Sequence, residues 1–281
     1  MSPINQVHST SLNSFNANHT LYDKLRPEFD PEFVAQFFQS LSLSKGQAIL
    51  ELAAGTGKFT KELVKHGYAD ELIIVEPSEG MLESFKKNFP ALESRIGSSY
   101  EIPLDDSSVD CVIVAQGFHW FSDEESLKEL YRVLKPHGKI GLIWNFDSKN
   151  NNDNDTKLSI ADEDLKDMVA WEQIANEAQA YDSEVPQYRK GEWREAFDNQ
   201  ELFDPKTIDS QFQYKMHPFP KDSVYDYWLT RSYITSLSEE EKMKLKVKVE
   251  IAIEHAPGNC FVSETEIKQF MGSHFFVISK A

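Results

Sequence analysis

Two acids, a pair of glycines and one histidine are spaced in a way that implies chemistry. Glu51 lies in the run Ile49-Leu50-Glu51-Leu52-Ala53-Ala54-Gly55-Thr56-Gly57-Lys58-Phe59-Thr60, where an apolar stretch passes through two glycines into the helix-like segment 61–66. Glycine admits positive φ and lets a ligand approach bare backbone. The helix that follows would aim unpaired N–H groups back at the loop, which suits an electronegative guest. Glu76 closes a second apolar run, 71–76, about twenty residues beyond Gly55, where an acid in doubly wound folds takes the hydroxyls of a ribose. A carboxylate has two acceptor oxygens and can meet two vicinal hydroxyls at once; the alternative is a solvated acid at a strand end. His119, beside Trp120 after a third apolar run, is either a base or part of a pocket wall.

Two familiar loops are tested and set apart. A phosphate-binding loop requires Gly-x-x-x-x-Gly-Lys-Ser/Thr, but Phe59 follows Gly57-Lys58 and Leu52 occupies the place of the first glycine. The dinucleotide fingerprint Gly-x-Gly-x-x-Gly fails only at its third glycine, where Thr60 stands, so an NAD-dependent oxidoreductase stays open. Two cysteines, Cys111 and Cys260, give neither a disulfide framework nor a metal spacing, and no histidine pair suggests zinc. No metal is expected.

The elements that must position these residues alternate strand and helix. A helix is expected over 31–41, started by Pro31 and followed by Gly46. Strands follow at 49–52, 71–76, 94–100, 110–115 and 139–144, with helices near 61–66, from Ser78 through Phe85, and over 123–134. This alternation predicts an α/β doubly wound, mostly parallel sheet with helices on both faces. Past an Asn- and Asp-rich loop at 147–157, helical spacing over 162–180, an edge strand at 207–217, a long charged helix at 237–255 and antiparallel strand material at 266–279 form an extension.

The net charge of −17 disfavours a generic nucleic-acid binder and an anionic membrane surface. No apolar run reaches the length of a membrane span, and the Ser- and Asn-rich start lacks the pattern of a secretory signal. A cytoplasmic protein, as a monomer or homodimer, is expected.

With several segments in order, residues from about 22 to 146 resemble the methyltransferase type 11 group of class I S-adenosylmethionine (SAM)-dependent methyltransferases, and within it the trans-aconitate methyltransferase-like enzymes. The segments are Tyr22-…-Arg26-Pro27, Glu51 to Gly57, Glu76-Pro77-Ser78-…-Met81, Ile102-Pro103-Leu104, Val114 through Phe121, and Leu134 to Gly138. The resemblance implies a Rossmann-like seven-stranded sheet with a C-terminal antiparallel strand and a helical extension over the site. It implies one domain over 1–281: an N-terminal segment with a lid helix (1–40), a SAM-binding core (41–148) and a substrate-side extension (149–281). It places SAM against Glu51, Ala53, Gly55, Gly57, Glu76, Pro77, Met81, the Ser98-Ser99-Tyr100 loop and Gln116, with Tyr22 and Arg26 near the methionine carboxylate. This chain has Ser98 where the family often carries an acid near the adenine amine. Gln116 and His119 are the catalytic candidates, and Phe118, His119, Trp120, Asn145, Trp193, Arg231 and Tyr233 the substrate contacts. The implied reaction is methyl transfer to a small molecule, a carboxylic acid among the acceptors, which needs no base; a SAM-binding protein without activity is the remaining alternative.

Overall fold

The computed structural model describes residues 25–149, 162–182, 185–198 and 200–281. Strands β1 (Ile49–Leu52), β2 (Leu72–Glu76), β3 (Ser94–Ile96), β4 (Val109–Ala115), β5 (Leu134–Phe146), β6 (Phe203–Pro220) and β7 (Glu266–Lys280) form one sheet in the order β3-β2-β1-β4-β5-β7-β6. The first five pair in parallel, while β7 runs antiparallel to both β5 and β6.

Alternate side chains on each strand leave by opposite faces, and the core divides accordingly. Ile49, Ile74, Cys111, Ile113 and Ile143 pack on one side with α1 (Pro31–Leu41) and α2 (Thr60–Lys65). Leu50, Leu52, Val75, Val112, Val114, Leu142 and Trp144 pack on the other with α4 (Glu124–Val133) and α6 (Val169–Gln179). Helix α3 (Glu79–Asn88) lies between β2 and β3, its N-terminus capped by the Ser78 hydroxyl, which accepts from the Met81 N–H at 3.3 Å.

Four expectations differ in detail. Helix 31–41, within the segment 1–40 for which a lid helix is expected, is itself a layer of the sandwich: Phe33, Val34, Phe37, Phe38 and Leu41 are all buried, and Gly141 leaves the room that Phe37 and Leu41 fill. The helix expected over 162–180 is two, α5 (Asp162–Asp167) and α6, separated at Met168. β5 begins at Leu134 rather than 139; Leu134 pairs with Val109 and Lys139 with Cys111, so residues 135–138 bulge out, with His137 at φ 66°. Helices α7 (Val224–Leu229) and α8 (Ser232–Thr235) were not anticipated, whereas α9 (Glu239–Glu254) lies within its expected span. Tyr22, the N-terminal segment before residue 25 and most of the 147–157 loop lie outside the described residues. Among those described, no helix is long and apolar enough to cross a membrane.

Candidate active site

One cavity opens where β1, β2, β4 and β5 end, the edge at which open α/β sheets bind ligands. It has two chemically different ends. The first is built from the turns after β1 and β2. Glu76 is 4 % exposed, and each of its oxygens accepts one backbone N–H, from Gly55 and from Ser78, both at 2.9 Å. The acid thus ties the glycine turn to the start of α3 and keeps lone pairs for a ligand. Burial raises its pKa to about 7 against the pull of those two bonds. Met81 lies against Gly55: a Cβ on that glycine would stand 3.5 Å from its sulfur. Pro77 and the Ser98-Ser99-Tyr100 loop continue the same wall, and the Tyr100 hydroxyl donates to Asp123 at 2.8 Å.

Two non-glycine residues on the cavity floor hold left-handed backbone, Ala53 at φ 58° and Gln116 at φ 63°. Such conformations cost about 1–3 kcal/mol and gather at functional sites. Gln116 donates its side-chain amide to the Asn145 carbonyl at 3.0 Å. Asn145 in turn accepts from the Ser273 hydroxyl and donates to the Glu28 carbonyl, fastening β5 to β7 and to the segment before α1.

Beneath the glycine turn, Glu51 is 1 % exposed. One oxygen accepts from the Thr60 hydroxyl at 2.7 Å; the other is buried with no hydrogen-bond partner among the described residues, and the residue lines the cavity. Desolvation lifts its pKa to about 8, and the negative charge of Glu76 adds to the rise. A buried carboxyl oxygen lacking a donor calls for one. A cation-bearing ligand with N–H groups supplies both.

The second end is rich in guanidinium groups. Arg26, Arg189 and Arg231, three of the six arginines in the chain, line it together with Tyr233. Burial pushes the Tyr233 phenol up, while the charges of Arg231, Arg189 and Arg26 pull it back. Arg231 pairs with Asp147, whose carboxylate also accepts from the Tyr227 hydroxyl at 2.8 Å; Arg189 pairs with Asp182. Arg26 donates to the Thr230 carbonyl at 3.1 Å. These carboxylates hold the guanidinium groups in fixed positions, the arrangement that recognises planar oxyanions.

Between the two ends, His119 lines the cavity and accepts at Nδ1 from the Trp144 indole N–H at 3.3 Å. Burial, reinforced by repulsion from Arg231, lowers its pKa to about 3. An imidazole so disposed is a weak base, and the Trp144 contact already occupies the lone pair at Nδ1.

Most of the expected site residues converge here: Arg26, Glu51, Ala53, Gly55, Glu76, Pro77, Met81, Ser98, Ser99, Tyr100, Gln116, His119, Trp120, Asn145, Arg231 and Tyr233 all line the cavity. Three do not. Gly57, at φ 91°, is pressed by Phe85 and Phe89 and serves packing. Phe118 is fully buried against Phe121, Trp193 and Phe197. Trp193 is 1 % exposed and stacks behind the wall on Trp144 and Tyr188. Sequence reasoning missed Arg189, Tyr227, Asp147 and Trp144. For Asp147 the available signal was its place directly after a buried strand, the position that Glu76 holds on β2.

Comparison with known proteins gives this geometry a lineage. Residues 50–142 match a family model described as a methyltransferase domain. An uncharacterized methyltransferase-like protein of Schizosaccharomyces pombe is 33% identical over 238 residues, covering 83% of each chain. Among solved structures, the YcgJ protein of Bacillus subtilis aligns with a TM-score of 0.52 at 16% identity, over 89% of this chain and 99% of that one. Haemonchus contortus phosphoethanolamine N-methyltransferase 2, solved with phosphomonomethylethanolamine and S-adenosylhomocysteine, aligns with a TM-score of 0.51 at 14% identity, over 94% of this chain and 57% of that one. At such identities the structures speak for the fold, a Rossmann-like sheet. The family rests on the relative that spans most of both chains, joined to a glycine turn, a strand-end acid and an unsatisfied buried carboxyl in one cavity: the chain belongs to the class I SAM-dependent methyltransferases.

Proposed function

We propose that the enzyme methylates a small carboxylic acid on oxygen, the reading that the trans-aconitate methyltransferase resemblance also implies. The observation that carries it is the gathering of three guanidinium groups, those of Arg26, Arg189 and Arg231, around Tyr233 in the cavity that the two acids also line. Glu76 would hold the ribose hydroxyls, Glu51 the methionyl ammonium, and Ala53, Gly55 and the Ser98–Tyr100 loop the remaining edges of SAM. When bound, SAM supplies an activated methyl carbon on a sulfonium.

The protein's part is alignment. Arg231 and Arg189 receive the acceptor carboxylate, Tyr233 and Trp120 wall it in, and Gln116 lines the same cavity. A lone pair of the carboxylate oxygen forms the new O–C bond, and the pair of the broken S–C bond remains on sulfur. No proton is released, so the chemistry asks for no base. The phosphorylated acceptor in the Haemonchus structure is likewise an anion, although its methylated atom is a nitrogen.

A panel of mono-, di- and tricarboxylic acids, incubated with SAM and read by mass spectrometry for methyl esters, tests the proposal. Ester formation that falls at least tenfold in Arg231→Gln is expected. Turnover only of amines or alcohols would overturn it. Calorimetry should show SAM affinity weakened at least tenfold in Glu76→Gln, which removes the charge from the ribose contact, since hydrogen bonds to a charged group contribute about 1.5–3 kcal/mol.

A further inference from the structure

The contact between Trp144 and His119 fixes more than a distance. An indole nitrogen donates and cannot accept. Nδ1 of His119, 3.3 Å from that N–H, must therefore present a lone pair. A neutral imidazole with its lone pair on Nδ1 carries its hydrogen on Nε2. Among the described residues Nε2 has no protein partner, and the histidine lines the cavity.

Trp144 is poorly able to yield. It is fully buried, its ring centroid 4.8 Å from that of Tyr188 and 4.6 Å from that of Trp193. Turning the indole away would unpack that cluster. Protonating His119 instead would set two N–H groups against each other.

The charged groups around the ring do not favour a proton either. Arg231 is the charge that acts on it, and Asp147, the nearby acid, is engaged by Arg231 and the Tyr227 hydroxyl. Arg26 and Arg189, which also line the cavity, are of the same sign as Arg231, and neither Glu51 nor Glu76 is among the charges that act on the ring.

We propose that Trp144 is a positioning residue that locks His119 as a neutral Nε2–H donor, making the histidine a selector for acceptors that arrive with an already deprotonated oxygen. The inference rests on the methyl-transfer reading for the identity of that acceptor, but not for the tautomer. A carboxylate meets Nε2–H and the guanidinium groups with complementary oxygens. An alcohol or ammonium acceptor would have to shed a proton, and the ring has no vacant lone pair to take it.

The test uses full-length protein with 15N-labelled histidine, and long-range proton–nitrogen correlation between pH 5.5 and 8, with His119 assigned by comparison with His119→Gln. The expected spectrum shows an unprotonated Nδ1, a protonated Nε2 and no titration across the range. A proton on Nδ1, or an imidazolium appearing within the range, would overturn the proposal. In Trp144→Phe the two nitrogen shifts should move toward the average of both tautomers; an unchanged pattern would remove Trp144 from its role. Should that variant fail to fold, the wild-type spectrum still decides the tautomer. No acceptor enters these measurements, so an inactive acid panel would count against the proposed substrate and the selector role while leaving the tautomer and the part of Trp144 in fixing it standing.

Discussion

Glu51 shows how one side chain can link stability, pH and ligand. Its carboxyl is buried, and its pKa stands at about 8 in the folded chain against 4.5 as the ordinary value. The folded protein therefore keeps a proton that the unfolded chain releases, so this group's contribution is complete below pH 4.5 and is lost as pH climbs to about 8. Thermal unfolding of the ligand-free protein should show a midpoint that declines over this window, and Glu51→Gln, which still accepts from Thr60, should flatten the decline. The same acid must ionise to meet a cation. SAM affinity, followed by calorimetry, should rise at least tenfold from pH 6.5 to 8.5, with ionisation of Glu76 near pH 7 adding to the rise, and should keep only the shallower Glu76 part in the same variant. An unchanged slope in Glu51→Gln would refute the assignment.

At the scale of elements, the seat of α1 on the sheet depends on an absent side chain. A Cβ on Gly141 would stand 2.6 Å from Phe37 and 2.9 Å from Leu41. Gly141→Ala should destabilise the fold by about 2 kcal/mol, as overpacking does, measured by urea unfolding. A neutral result would mean that α1 shifts freely. Strands β1, β2 and β4 and helix α1 were legible because apolar runs ended in turn residues, and Pro31 marked a helix start. The bulge in β5 was not, since Pro136-His137-Gly138 also reads as a break; pairing with β4 decided the outcome. Glu76 was legible from its spacing to Gly55. Phe118 and Trp193 were misplaced because an aromatic residue beside a site motif looks the same from sequence whether it faces the cavity or backs it. Asp147 fell in what looked like a linker, and only folding reveals its tie to Arg231 across the chain.

For the molecule as a whole, the net charge of −17 and the arginine-lined end of the cavity act on an anion in opposite senses. The surplus acids are spread over solvent-facing surface and are screened by salt, whereas the guanidinium groups are partly buried and screened less. For a di- or tricarboxylate acceptor, kcat/KM should therefore rise between about 10 and 150 mM salt, where the Debye length shortens from about 30 to 8 Å, with kcat unchanged. A fall over that range, measured by initial rates, would show that the cavity field reaches beyond its mouth.

The end of β5 carries a design consequence. Within a few residues, Trp144 meets His119, Asn145 meets Gln116 and Ser273, and Asp147 meets Arg231. A chimera that exchanges the later half of this chain for a relative's, to change what is methylated, would part Trp144 from His119 and Asn145 from Gln116 if spliced ahead of Trp144. Joined after Ser148, the graft would still need its own counterparts of Arg231, Tyr227 and Ser273 to find their anchors. The two parts of the chain are thus joined here by a set of contacts and not by the peptide bond alone.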